Sequence, residues 1–209
     1  MAAKRLTREE SRERTRDRLL VAAAELFAER GVNGTSVEQI AERAGYTRGA
    51  FYGNFEGKPE LVAALLRQRT RQEAEEVAAL RAGAGSFAET MDRLRVWNAE
   101  RARHLDQWFA LRTELSLYAL RNPEARPIVG ESEAATRLLI ESAVSADFAR
   151  REVTPPADPA FLALIVHALE DGLLLQRFLS PEGTSDEVVV DAVQLLMRAW
   201  TALSAAESP

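Results

Sequence analysis

The chain has no cysteine and only two histidines, and aromatic residues make up just 7% of its 209 positions. Without a thiol there is no disulfide framework, no thiolate metal site and no cysteine nucleophile, and a reducing cytosol is the compartment such a chain suits. His104 and His167 lie far apart in sequence, and no histidine or carboxylate falls at a compelling metal-ligand spacing, so neither a metal nor another cofactor is expected. His167 and Asp171, four residues apart on one predicted helix, read as a satisfied polar pair rather than as ligands. G-x-S-x-G, H-E-x-x-H, Walker and dinucleotide-binding patterns are all missing, which argues against an enzyme. Strand-like alternation is missing too. The first eighteen residues are dense in charge, and the apolar run after them is broken by Glu25. Neither a signal peptide nor an apolar span of about 20 residues is expected there, and the reading is a soluble, cytoplasmic protein with no membrane partner.

What is present is an apolar content of 46%, enough for a sizeable core, and a net charge of −5 that divides unevenly. Residues 1–58 carry 11 Lys+Arg against 9 Asp+Glu, while the remainder carries 16 against 23. A mildly basic end on an acidic body is the footprint of a nucleic-acid reader joined to a partner or ligand domain.

The most specific stretch is TSVEQIAERAGYTRGAFYGNFEGK, residues 35–58. Thr35 with Glu38 three positions on reads as a capping box opening a helix. Val37, Ile40, Ala41 and Ala44 then recur on one helical face, and Gly45 ends it. Thr47 is a second N-cap, and Ala50, Phe51 and Phe55 give the second helix its inward face. This is the punctuation of a helix-turn-helix. Thr47, Arg48 and Gly49 stand at the end where a recognition helix meets base edges, and an arginine there can bond two guanine acceptors at once. Tyr52, Asn54 and Lys58 follow at positions suited to phosphate oxygens. Thr35, Ser36 and Tyr46, at the openings of the two helices, complete the expected DNA-contacting set.

Residues 15–62, with LFAERG, TSVEQIAERAG, TRGAFYGNF and KPEL in order, resemble the DNA-binding domain of the tetracycline-repressor (TetR) family of bacterial transcriptional regulators. The chain departs from the pattern at Gly53 and Asn54, where many members carry an aromatic residue and a histidine. The resemblance implies a repressor that binds double-stranded DNA at a palindromic operator, acts as a homodimer through its two C-terminal helices, and is released by a small-molecule ligand.

Around the motif, residues 1–14 read as a basic arm, either a solvated tail or a phosphate or minor-groove contact. Leu19, Leu20, Ala23, Leu26 and Phe27 form a helical stripe closed by Gly31. A long helix from Lys58 to about residue 82 joins reader to body. Helices are expected from Ser86 through Trp97 and over about 105–121, 127–151, 161–179 and 185–204, with TPPADP at 154–159 as a loop. Residues 161–203 carry more apolar surface than one core requires, which points to a homodimer interface. Trp97, Arg101, His104, Trp108, Arg112, Tyr118 and His167 are the candidate ligand-binding residues, an aromatic and polar mix on central helices.

The expected fold is all-α, with an N-terminal helix-turn-helix three-helix domain (residues 15–60) and a C-terminal helical ligand-binding and dimerisation domain (residues 61–209). Two other readings stay open from sequence alone. One is a helical interaction or ligand-binding protein with a non-functional reader; the other is an unrecognised helical enzyme.

Overall fold

The computed structural model describes residues 7–82, 85–101 and 105–207, and all regular structure among them is helical, with no strand. The helices are α1 (Arg8–Arg30), α2 (Val37–Arg43), α3 (Arg48–Tyr52), α4 (Lys58–Ala82), α5 (Phe87–Arg101), α6 (Leu105–Arg121), α7 (Arg126–Arg150), α8 (Pro159–Leu179) and α9 (Val188–Glu207). Single 3-10 turns precede α7 and follow α8. The chain divides into two compact units, residues 1–69 with 110–130, and residues 70–109 with 131–209. The first unit therefore takes in residues 110–130, which the sequence assigned to the C-terminal region, and α4 runs unbroken across the division.

The first unit starts earlier than expected. Thr7 accepts a hydrogen bond from the Glu10 N–H, and the Glu10 carboxylate accepts from the Thr7 N–H at 2.6 Å, so a complete capping box opens α1. The arm expected over residues 1–14 is thus helical from Arg8 onward, while residues 1–6 lie outside the described residues. Glu9 and Glu10 at the positive end of the helix dipole favour the same start. Leu19, Leu20, Ala22, Ala23, Leu26 and Phe27 line the buried face of α1, and Ile40, Phe51 and Phe55 are buried in the same unit. Burying side chains of this size stabilises by roughly 1.5–3 kcal/mol each, which outweighs the weak intrinsic stability of helices as short as α2 and α3.

The entry to α2 differs from the expectation by one residue. Ser36 is the N-cap, accepting from the Gln39 N–H at 3.2 Å, and Gln39 Oε1 accepts from the Ser36 N–H at 2.8 Å. Thr35 is turned inward instead, 1% exposed, with its hydroxyl donating to the Gly31 carbonyl at 2.8 Å. Its side chain is committed to the end of α1, so the neighbouring serine forms the box.

In the second unit, Val144 and Phe148 of α7, Leu162 and Val166 of α8, and Met197 and Trp200 of α9 form the core, with Ile140, Ile165, Val193 and Leu196 packed against it. Ser86 accepts from the Glu89 N–H at the opening of α5, as expected. Asp158 caps α8, with Pro159 in its first turn. Arg95 of α5 reaches Glu187 at 3.1 Å, Asp191, and Gln194 at 3.2 Å, tying α5 to the start of α9. On length and composition alone, 159–179 and 188–206 are apolar enough to cross a bilayer, each with mean hydropathy 1.3. In the fold they share the core just described. Phe161, Leu164, Leu175, Phe178, Leu179, Leu195 and Leu203 nonetheless stay exposed on them.

Candidate functional site

α3 is a five-residue helix whose two sides are sharply different. Phe51 is buried, packed against Phe55 with ring centroids 5.6 Å apart. Thr47, Arg48, Gly49 and Tyr52 are exposed. Thr47 caps the helix by accepting from the Ala50 N–H at 3.3 Å. A side chain at Gly49 would meet nothing nearer than Thr47 Oγ1 at 3.7 Å, so the backbone there is open to an approaching surface. The turn before it is made by Gly45, whose φ of 77° lies in the left-handed region that glycine adopts without strain.

Arg48 Nε lies 3.1 Å from Glu38 of α2, and its guanidinium sits 5.4 Å from the centre of the Tyr52 ring. Both partners of the ion pair are more than half exposed, so water screens it and the arginine can be redirected at little cost. The Glu38 carboxyl is held below the usual carboxylate range chiefly by its own backbone N–H, with the Arg48 charge contributing less. Tyr46 faces α1. A hydrogen bond with Thr15 holds its phenol below the ordinary value; partial desolvation opposes this, and the Arg18 and Arg14 charges add to it.

Three of the expected DNA contacts are placed otherwise. Thr35 is buried and bonded to Gly31. Lys58 Nζ donates to the carbonyls of Val32 at 3.0 Å and Thr35 at 2.9 Å, so its ammonium closes the turn before α2 instead of projecting towards a phosphate. Asn54 turns its amide back to the Ala50 carbonyl at 2.8 Å. Ser36 is exposed, with its hydroxyl engaged as the α2 cap.

Several supporting residues escaped the sequence. Arg12 donates to the Gly53 carbonyl at 3.2 Å and Arg16 to the Asn54 carbonyl at 2.8 Å, two cations one turn apart on α1 that satisfy carbonyls at the end of α3. Arg16 also lies 4.2 Å over the Phe55 ring. Their spacing of four was the available signal, but Arg12 fell in the segment read as an arm. Arg43 bonds Glu25 and Glu29 of α1 at 3.1 Å, locking α2 to it. Glu114 of α6 accepts from the buried Val32 N–H at 2.9 Å, inside the first unit.

The candidate ligand residues fall in both units. His104 lies outside the described residues, as does the Arg101 side chain. Trp97 donates to Glu76 at 3.1 Å in the second unit, where half-buried Trp108 also belongs. Arg112 and Tyr118 belong to the first unit, with Tyr118 buried and its phenol pushed up by that burial and, less, by Glu124. His167 is buried in the second unit with Nε2 3.2 Å from the Glu133 carboxylate of α7, and Asp171 one turn along α8 completes the group.

Comparison with known proteins agrees with this arrangement. Residues 19–65 match the family model described as bacterial regulatory proteins, tetR family, and residues 97–203 match that of the BetI-type transcriptional repressor, C-terminal. The HTH-type transcriptional regulator SrpR of Pseudomonas putida is 47% identical over 57 residues, which are 27% of this chain and 27% of SrpR. The chain thus aligns with about a quarter of that relative's length. A TetR-family transcriptional regulator from Rhodococcus sp. superposes with a TM-score of 0.74 at 23% identity, covering 90% of this chain and 99% of that one. FadR from Bacillus subtilis, solved in complex with stearoyl-CoA, superposes with a TM-score of 0.71 at 16% identity, covering 90% and 98%. At those identities the structures speak for the fold. The second family model spans just over half of the sequence by itself, and with the first lying over the helix-turn-helix, the chain belongs to the TetR family of bacterial regulatory proteins.

Proposed function

We propose that the protein is a homodimeric, sequence-specific DNA-binding repressor, released from a palindromic operator when a small molecule occupies its C-terminal region. The observation that carries the reading is the exposed opening of α3, where Thr47, Arg48, Gly49 and Tyr52 face outward on a helix anchored from behind by Phe51 and Phe55. A recognition helix needs that division: an open N-terminal end for base edges and a buried face that holds it rigid. Of the expected contacts, Thr47, Arg48 and Gly49 are assigned to base edges, and Tyr52, Tyr46 and Ser36 to the phosphate backbone.

The dimer reading is supported by the exposed apolar side chains of α8 and α9, which are too many for a solvated face. The repressor reading is supported by the C-terminal family match, and the small-molecule reading by the fold relative that holds an acyl-CoA. Trp97, Trp108, Arg112 and Tyr118 remain the assigned ligand residues. The deciding experiment is selection of bound sequences from a random DNA pool. A palindrome with half-sites about one helical turn apart is the expected product. A pool with no enriched sequence, or salt-insensitive binding, would overturn the reading.

A further inference from the structure

Away from the reader, the second unit brings three metal-ligating side chains together. Glu133 comes from α7, and His167 and Asp171 from successive turns of α8, with one donor atom of each lying within 4.8 Å of the others. His167 Nε2 and Glu133 Oε2 are already 3.2 Å apart. We propose that Glu133, His167 and Asp171 form a binding site for a divalent transition-metal ion of the zinc class, beyond the DNA-reading function and independent of it.

The donor set decides the class. One imidazole with two carboxylates suits zinc, nickel or cobalt, whereas calcium and magnesium prefer all-oxygen shells and copper(I) prefers sulfur, of which the chain offers no thiolate. Bonds of about 2.0–2.2 Å in a tetrahedral shell put neighbouring donor atoms roughly 3.4 Å apart, close to the histidine–glutamate separation. The Asp171 donor lies within 4.8 Å of both. A spacing of four on α8 puts His167 and Asp171 on one face, and Glu133 closes the site from the neighbouring helix. Two carboxylates this close repel each other, and a divalent cation cancels both charges. Three protein ligands leave a fourth position for water or for an anionic ligand. The His167 side chain is only 5% exposed but that of Glu133 is 29% exposed, so the ion has an entrance beside a sheltered nitrogen.

The fourth position and the two-helix origin of the ligands make the site a means of fixing α7 against α8.

The test uses the tag-free, full-length protein, stripped with chelator and titrated with Co(II) followed by visible absorption and with Zn(II) by equilibrium dialysis. One ion per chain is expected, with a ligand-field spectrum of low-symmetry cobalt. Loss of a direct ligand should cost at least what loss of an outer partner costs, so His167→Gln and Asp171→Asn should each raise Kd by about 10- to 100-fold or more. If His167→Gln does not fold, Glu133→Gln at the exposed rim gives the same reading on a protein whose helical content is intact. Absence of saturable Co(II) and Zn(II) binding, or variants that bind as tightly as the parent, overturns the proposal. No DNA is present in the measurement, so its failure leaves the regulator reading standing and its success does not depend on that reading.

Discussion

Arg48 and Lys58 stand ten positions apart in one basic stretch, yet their cations have different partners. The exposed Arg48 guanidinium pairs with Glu38 in a solvent-screened contact and lies over the Tyr52 ring. Arg48→Ala should weaken specific binding by about tenfold to a hundredfold and relax base preference at one position of each half-site, read by anisotropy on single-base operator variants. An unchanged preference would remove Arg48 from the base-reading set. Lys58 donates to two backbone carbonyls, so Lys58→Met should instead lower folding stability by about 1–3 kcal/mol, measured by urea unfolding. The salt slope of DNA binding should stay as in the parent. A slope lowered by about one with stability retained would return Lys58 to the phosphate set.

At the scale of elements, the join between α1 and α2 carries more constraint than its length suggests. Gly31 has φ 77° and ψ 159°, a conformation open essentially to glycine alone, and an added Cβ would lie 2.8 Å from the Glu114 carboxylate. Gly31→Ala should therefore destabilise the protein by about 1–3 kcal/mol in thermal melts. Glu114→Ala strands the buried Val32 N–H without its acceptor and should cost a similar amount, roughly 1–3 kcal/mol, whereas Glu114→Gln keeps an acceptor and most of the stability. Equal losses for the two Glu114 variants would mean that charge, not the hydrogen bond, matters there. These local contacts explain why α2 and α3, too short to be stable alone, hold a fixed geometry: Arg43 ties α2 to α1, and Arg12 and Arg16 tie the end of α3.

For the whole molecule, the predictions concern assembly and coupling. Leu195 on α9 is 70% exposed, whereas Val193 packs against the core of its own unit. Leu195→Glu should give folded monomers by sedimentation, with helical content unchanged, because a charge would be buried at the interface. Val193→Glu should disturb the fold as well. A Leu195→Glu protein that remained dimeric would move the interface elsewhere. In the proposed release, the ligand favours a conformation that fits the operator less well. Ligand and operator should then oppose each other by about 1–3 kcal/mol, and by linkage operator DNA must weaken the ligand by the same factor. Titrating a compound that binds the C-terminal region with and without operator checks this. Equal affinities would remove the coupling while leaving DNA recognition intact.

Signals confined to a few neighbouring residues were legible in the sequence. The Thr47 cap, the Gly45 turn, the buried Phe51 and Phe55, and the breaks at Asn122 and 154–159 all depend on local backbone chemistry or on one helical period. The all-helical class and family followed from the order of such signals. Choices between equivalent local options waited for tertiary contacts. Ser36 took the cap because Thr35 is held by the end of α1, and Lys58 turned inward because the carbonyls of Val32 and Thr35 meet it there. The meeting of Glu133 with His167 and Asp171 joins residues on two helices, and no spacing along the chain could announce it. Distances along one helix follow from the sequence, but distances between helices exist only once their apolar faces have packed.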